Sequence, residues 1–254
     1  MSALPAGNPD PWAPLRPTTQ ARIGLGRAGM SLPTAAVLDL QSALAAARDA
    51  VDVPLDADAL VAILAGLGLG DPVVLSSRAG DRSTYLRRPD LGRLPDGLDA
   101  LAAGPWQVGI VIADGLSSRA VSDHAVEQVR ALQAALDGLS IAPPVVVTQA
   151  RVAIGDWIGQ ALGVETVLVL VGERPGLSVS DSLGIYLTHD PRPGRNDAER
   201  NCISNIHPPD GLGYATAAAT AARLVHGARA LGRSGVDLKD TAGAALPSGP
   251  DDPA

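Results

Sequence analysis

The chain has 254 residues, a formal net charge of −7, and 46% hydrophobic but only 2% aromatic residues. This length allows one large domain or two unequal ones, and the composition is typical of a globular protein with an aliphatic core. Because Lys239 is the only lysine and lies near a Gly- and Pro-rich end, we expect no nucleic-acid partner, no Walker phosphate loop and no Schiff-base lysine in the core.

The cysteine and histidine content limits the location of the protein and its metal chemistry. Cys202 is the only cysteine, so the chain can form neither an intramolecular disulfide nor a four-cysteine metal site. The four histidines lack the spacing of a zinc site. Since no signal-peptide pattern and no uncharged apolar run of membrane-spanning length is found, we expect a cytoplasmic protein that does not contact the membrane.

Helical periodicity dominates the first hundred residues. Apolar residues at steps of three and four predict an amphipathic helix over 33–51 and a shorter one over 58–68. We therefore expect a mostly helical N-terminal domain over 15–100. Residues 1–14 and 242–254 are rich in Pro, Gly and small side chains, and we predict that both are flexible tails.

Short apolar runs alternate with helical stretches over 101–241. The strands are predicted over 107–113, 144–148, 166–171 and 184–188. The helices are predicted over about 118–138, 155–162 and 214–231. Continuous apolar strands separated by helices are typical of a parallel sheet covered on both faces, so we predict an α/β, Rossmann-like domain.

Three polar loops follow the predicted strands and indicate where a ligand would bind. In open parallel sheets, ligands bind beyond the carboxyl ends of the strands. The loops there are 114–117, 149–152 and 172–176, and each combines polar groups with residues that let a ligand approach the main chain. Glu173 directly follows a buried strand, where an idle charge is costly, so we favour a binding role over a capping or surface role.

Two other motifs leave alternatives open. The segment 24–29 (GLGRAG) matches the dinucleotide-binding fingerprint and would make the chain a free-standing NAD(P) oxidoreductase. The residues before it are too polar for a central strand, so we favour a structural or subunit-contact loop. Cys202 could be a nucleophile with His207 as its base, but a packed, unreactive cysteine is the simpler interpretation.

Five segments in order resemble the small (light) subunit family of ethanolamine ammonia-lyase. Together they span about residues 15–230, and a set of five is more specific than any one segment. They are 21–29 (ARIGLGRAG), 85–93 (YLRRPDLGR), 111–117 (VIADGLS), 171–177 (VGERPGL) and 198–206 (AERNCISNI).

The resemblance implies an enzyme subunit that does not complete the chemistry alone. A large subunit would bind ethanolamine, and this chain would cover adenosylcobalamin, which brings its own cobalt, where the two chains meet. In the family, contacts to the cofactor correspond here to Val152, Glu173 and Cys202. Further candidates on or beside the same segments are Arg151, Arg174, Asp114 and Ser204.

The resemblance also implies the reaction and its setting. Homolysis of the cobalt–carbon bond would start a radical rearrangement of ethanolamine that releases acetaldehyde and ammonia, with no catalytic residue in this chain. The location would be the cytoplasm, either free or inside a bacterial microcompartment. The alternatives are the NAD(P) oxidoreductase above and a non-enzymatic assembly subunit on the same scaffold.

Overall fold

The computed structural model describes residues 10–240, which form six α-helices and one six-stranded sheet. The helices are α1 (Thr34–Asp52), α2 (Ala57–Ala65), α3 (Arg82–Arg87), α4 (Ser118–Ala135), α5 (Ile154–Leu162) and α6 (Tyr214–Leu231). The strands are β1 (Val73–Ser76), β2 (Val108–Ala113), β3 (Val145–Thr148), β4 (Thr166–Gly172), β5 (Leu183–His189) and β6 (Asn201–Ile206). The predicted helices and strands are confirmed, with small shifts of their ends.

The sheet is mixed. Its strand order is β1-β3-β2-β4-β5-β6; the first four strands run parallel, β5 is antiparallel to β4, and β6 is antiparallel to β5. The prediction of an α/β fold is confirmed, but the prediction of a fully parallel, Rossmann-like sheet is wrong for the last two strands. The chain returns from β4 to β5 through residues 173–182 without a helix, and a short connection of this kind joins antiparallel strands.

The central strands form the core of the molecule. Every residue of β2 and β4 is buried, and their side chains alternate between two apolar clusters on opposite faces of the sheet. Ile110 and Ile112 pack on the face covered by α2, α4 and α6, whereas Val111 and Ala113 pack on the face covered by α5. Burial on both faces explains why these strands read as continuous apolar runs.

The first hundred residues contain a strand as well as helices. β1 pairs with β3 at the edge of the sheet, so a segment that we expected to be helical contributes to the same sheet as the C-terminal strands. α1 is long but contacts the body weakly, and Ala50 is its only buried residue. Residues 10–14, part of the predicted N-terminal tail, form an exposed turn, while 1–9 and all of 242–254 lie outside the described residues.

Candidate functional site

A cavity of about 350 Å³ opens at the carboxyl edge of the parallel strands, where the loops after β2, β3 and β4 meet. We call it the edge cavity. Four residues singled out from the sequence line it: Arg151, Val152, Glu173 and Arg174. The rest of its lining is Tyr85, Gly115, Leu116, Val171, Gly172 and Tyr186.

Glu173 is the first residue after β4 and its carboxylate is held from two sides. Its Oε2 accepts a hydrogen bond from the Ser182 hydroxyl at 2.5 Å and one from the Asn205 backbone N–H at 3.2 Å. The Glu173 backbone N–H donates to the Ser182 carbonyl at 2.9 Å, which closes the loop between β4 and β5. The side chain therefore has a fixed position on the wall of the cavity.

Asp114 lies beneath the cavity and is 2% exposed. Its two oxygens accept hydrogen bonds from the backbone N–H groups of Gln149 at 2.8 Å and Ala150 at 2.9 Å, and Arg82 is 3.7 Å away. Burial raises the pKa of the Asp114 carboxyl, while the two N–H donors and Arg82 oppose that rise. Asp114 thus joins the loops after β2 and β3, and does not itself line the cavity.

Sequence reasoning missed the aromatic part of the site. Tyr85 is 1% exposed, and the guanidinium groups of Arg82 and Arg151 each lie over its ring, 4.9 Å from the centroid. Its hydroxyl donates to the Ala150 carbonyl at 3.2 Å. Burial raises the pKa of Tyr85 to about 12, so it keeps its proton at neutral pH. The only sequence signal was its place in the 85–93 segment.

Arg151 contributes an unsatisfied donor to the site. Its guanidinium stacks on Tyr85 and lines the cavity, yet its Nε is buried without a hydrogen-bond partner among residues 10–240. The side-chain oxygen of Gln149, a residue with φ of 53°, is also buried without a hydrogen-bond partner in the described range. Buried polar atoms without partners are uncommon and often mark a place where a ligand or water binds.

Cys202 and Ser204 lie on β6, a strand that was not among those predicted from the sequence. β6 pairs with β5 and places Cys202 opposite Tyr186. The residue faces Tyr186, a cavity residue, across the two strands, and desolvation raises the pKa of the Cys202 thiol although the residue as a whole is exposed. Ser204 is exposed on the same strand, outside the lining of the edge cavity.

The surroundings of Cys202 favour a packed thiol over a nucleophile. A raised pKa disfavours the thiolate, which is the reactive form. His207, the base that we considered, instead forms a 2.8 Å hydrogen bond through Nε2 to the Asn205 side chain. Cys202 therefore supports Tyr186 from the neighbouring strand.

The part of the chain that the structure describes shows neither a metal-binding cluster nor a membrane-spanning helix. Residues 10–240 contain no group of three or more His, Cys, Asp or Glu side chains placed to hold a metal ion. In the same range, no helix combines the length and the apolar character needed to cross a lipid bilayer.

Comparison with known proteins assigns the chain to a family. The family model for the ethanolamine ammonia-lyase light chain (EutC) matches residues 9–239. The chain belongs to the ethanolamine ammonia-lyase light (small) subunit family. The family resemblance predicted from five sequence segments is thereby confirmed, and so is its assignment to a lyase (EC 4.3.1.7).

Relatives of the ethanolamine ammonia-lyase small subunit family are similar over nearly the whole chain. The protein from Rhodococcus erythropolis is 61% identical over 91% of this chain and 91% of its own length. Those from Xanthomonas campestris pv. campestris (ATCC 33913) and Pseudomonas syringae pv. tomato are 51% and 49% identical, over 92% and 95% of this chain and 89% and 86% of their own lengths. All three are named ethanolamine ammonia-lyase small subunit.

The alternative of a nicotinamide oxidoreductase gains no support. The fingerprint needs a strand immediately before its glycines and a helix directly after them. In the described part of the chain, 24–29 follows a bend and not a strand, although three of its glycines have positive φ. We therefore interpret 24–29 as a structural loop before α1.

Proposed function

We propose that this chain binds one side of adenosylcobalamin in the edge cavity and holds it against a large subunit. The observation that carries the proposal is that a fixed acceptor, Glu173, and the guanidinium of Arg151, whose buried Nε has no hydrogen-bond partner among residues 10–240, line one cavity. Apolar surface from Val152 and Leu116 lies beside them. The family membership of the chain supports the same role.

The chemistry of the cavity fits a corrinoid. The periphery of a corrin ring carries methyl groups and amide side chains, and each amide offers both N–H donors and a carbonyl acceptor. In the cavity, a carboxylate oxygen can accept from the amide N–H groups, a guanidinium N–H can donate to the amide carbonyls, and aliphatic surface can contact the methyl groups. A corrinoid is much larger than about 350 Å³, so this chain would cover only one edge and a second polypeptide would cover the rest.

In this role the chain binds and orients, and the cofactor supplies the reactivity. When bound, adenosylcobalamin provides a carbon-centred radical by homolysis of its cobalt–carbon bond. Glu173 would accept a hydrogen bond from an amide, Arg151 would donate one, and Val152 would allow close approach. Cys202 would act indirectly by packing against Tyr186. Arg174 would remain at the solvent-facing rim, where it is exposed.

The N-terminal segment is the proposed contact with the large subunit. Seven of the thirteen exposed large apolar side chains in residues 10–240 lie between residues 10 and 53. They are Trp12, Leu15, Met30, Leu32, Leu38, Leu44 and Val53. Arg22 donates a hydrogen bond to the Leu177 carbonyl at 2.7 Å, so this surface adjoins the loop that begins with Glu173. The name "small subunit" of the relatives supports a larger partner, while location in the cytoplasm or a microcompartment stays a prediction.

The test compares cofactor affinity of the two-chain complex with and without the Glu173 carboxylate. We expect Glu173→Ala to weaken cyanocobalamin binding by about 1–3 kcal/mol, because the amide that it pairs with would lose its partner in a desolvated site. Cys202→Ser should have a smaller effect, since its size is kept. Equilibrium dialysis against the complex measures both.

The matched control is Glu127→Ala, which removes an exposed carboxylate from α4. It should leave affinity unchanged. Equal affinity of the Glu173→Ala complex would contradict the proposal, and a changed oligomer size with intact affinity would favour the assembly-subunit alternative. The chain without its partner should show no ethanolamine deamination.

A further inference from the structure

The two oxygens of the Glu173 carboxylate have different surroundings. Oε2 accepts both protein hydrogen bonds, from the Ser182 hydroxyl and the Asn205 backbone N–H. Oε1 accepts no hydrogen bond from any residue between 10 and 240. A carboxylate with all of its protein donors on one oxygen is oriented and keeps the other oxygen available.

The donor at position 205 depends on an unusual backbone conformation. Asn205 has φ of 64°, in the left-handed region, which Asn adopts more readily than most other residues. Its side-chain oxygen is bonded to His207 at 2.8 Å, and its carbonyl accepts from the Leu212 N–H at 2.7 Å. These bonds stabilise the conformation that directs the Asn205 N–H toward Glu173.

Gly184 leaves the space that the carboxylate occupies. A Cβ at this position would lie 2.9 Å from Glu173 Oε1 and 3.3 Å from its Cγ. The atoms closest to that Cβ all belong to the Glu173 side chain, which is flexible, so a methyl group here would displace the carboxylate more readily than it would distort the strand. Ser182, Gly184 and Asn205 thus surround one side chain from three directions.

We propose that Ser182 and Gly184 are positioning residues that orient Glu173, so that Oε2 is held by the protein and Oε1 is presented to a hydrogen-bond donor of the ligand, of the primary-amide class. The inference rests on the proposed function of the edge cavity and adds which oxygen binds and which residues set its orientation. Neither residue lines the cavity itself, so each acts through Glu173.

A double-mutant cycle tests whether Ser182 acts through Glu173. In the two-chain complex, Ser182→Ala should weaken cyanocobalamin binding by roughly threefold to tenfold, the value of one hydrogen bond to a group that the ligand uses. In a Glu173→Ala background the same change should have no further effect. Ser182→Thr keeps the hydroxyl and should retain most of the affinity.

Gly184→Ala gives a second, independent variant. It should lower the affinity by a similar factor while the melting temperature of the complex stays close to that of the unmodified complex, because only a side-chain end has to move. Ser178→Ala, an exposed serine in the same loop, is the matched control and should change neither quantity.

The outcomes separate this inference from the proposed function. If Glu173→Ala leaves the affinity intact, the proposed function fails and the positioning role fails with it. If Glu173→Ala weakens binding but Ser182→Ala and Gly184→Ala do not, only the positioning role is overturned. An equal loss from Ser182→Ala in both backgrounds would also overturn it, since Ser182 would then act independently of Glu173.

Discussion

The central strands of the sheet bury their apolar residues, whereas the N-terminal helix α1 leaves most of its apolar residues partly or fully exposed. Every residue of β2 and β4 is buried, whereas α1 buries only Ala50 and exposes Leu38 and Leu44 by 59% and 50%. Apolar burial is the main favourable term in folding, so the sheet stabilises itself while α1 contributes little to the isolated chain. We propose that α1 instead packs on the large subunit, because this chain leaves all of its apolar side chains except Ala50 partly or fully exposed.

The largest predicted loss of stability comes from breaking the buried ion pair between Arg200 and Asp156. Arg200 and Asp156 are each 2% exposed in their side chains and form two hydrogen bonds of 2.6 and 2.7 Å. Asp156→Ala should destabilise the chain by about 3–5 kcal/mol, because it leaves the buried Arg200 charge with only the exposed Asp197 carboxylate, 3.6 Å from its Nε. Denaturant unfolding measures the loss.

The control for this prediction is an exposed pair on α4. Asp123→Ala removes the partner of Arg119, and both side chains are largely solvated. Asp123→Ala should lower the free energy of unfolding by less than about 1 kcal/mol. If Asp156→Ala and Asp123→Ala lowered the free energy of unfolding by similar amounts, burial would not determine how much these ion pairs contribute to stability.

The next prediction compares apolar residues of the two regions directly. Ile112→Ala in β2 should cost about 2–5 kcal/mol of unfolding free energy through lost burial and a cavity. Leu38→Ala in α1 should change it by no more than about 0.5 kcal/mol. Chemical denaturation of the isolated chain distinguishes these cases, and comparable losses would mean that α1 does stabilise the monomer.

The third prediction tests whether α1 contacts the large subunit. Replacing Leu38 and Leu44 together with Ser should weaken association with the large subunit by about tenfold or more, without lowering the stability of the isolated chain. Val236→Ser, an exposed apolar residue after α6, is the control and should leave association unchanged. Unaltered association of the α1 variant, measured by sedimentation or interferometry, would exclude α1 from the interface.

The smallest predicted effect is a pH dependence in the sheet half. Burial lowers the pKa of His124 below its ordinary value of 6.5, so the folded chain favours the neutral ring, which forms a 2.8 Å hydrogen bond with Tyr214. The unfolded chain therefore takes up the proton first, and stability should fall as pH drops below about 6.5, by less than about 1 kcal/mol. His124→Gln should reduce this slope and leave the part due to His189, whose pKa burial also lowers, whereas His226→Gln, at an exposed position of α6, should not change it.

The sequence predicted the central elements well because their signals are local. Five apolar residues in a row from 167 to 171 indicate a buried segment, and the polar loops after such strands marked the edge where four predicted residues meet. The direction of β5 was not predictable, since an apolar run carries no information about parallel or antiparallel pairing.

The missed features depend on contacts between distant residues. β6 contains Asn201, Cys202, Ser204 and Asn205 and lies at the edge of the sheet, so its polarity resembled that of a loop. Tyr85 reaches the site from a short helix 66 residues before Arg151. Ser182 and Gly184 matter only because the chain folds back onto Glu173, which no spacing rule indicates.

The most direct test of the central claim is a density map of the complex of this chain with its large subunit and cyanocobalamin. We predict that an edge of the corrin ring lies in the edge cavity, with an amide within hydrogen-bond distance of Glu173 Oε1 and α1 buried against the large subunit. A corrinoid bound away from Glu173 and Arg151, or enclosed by the large subunit alone, would contradict the account.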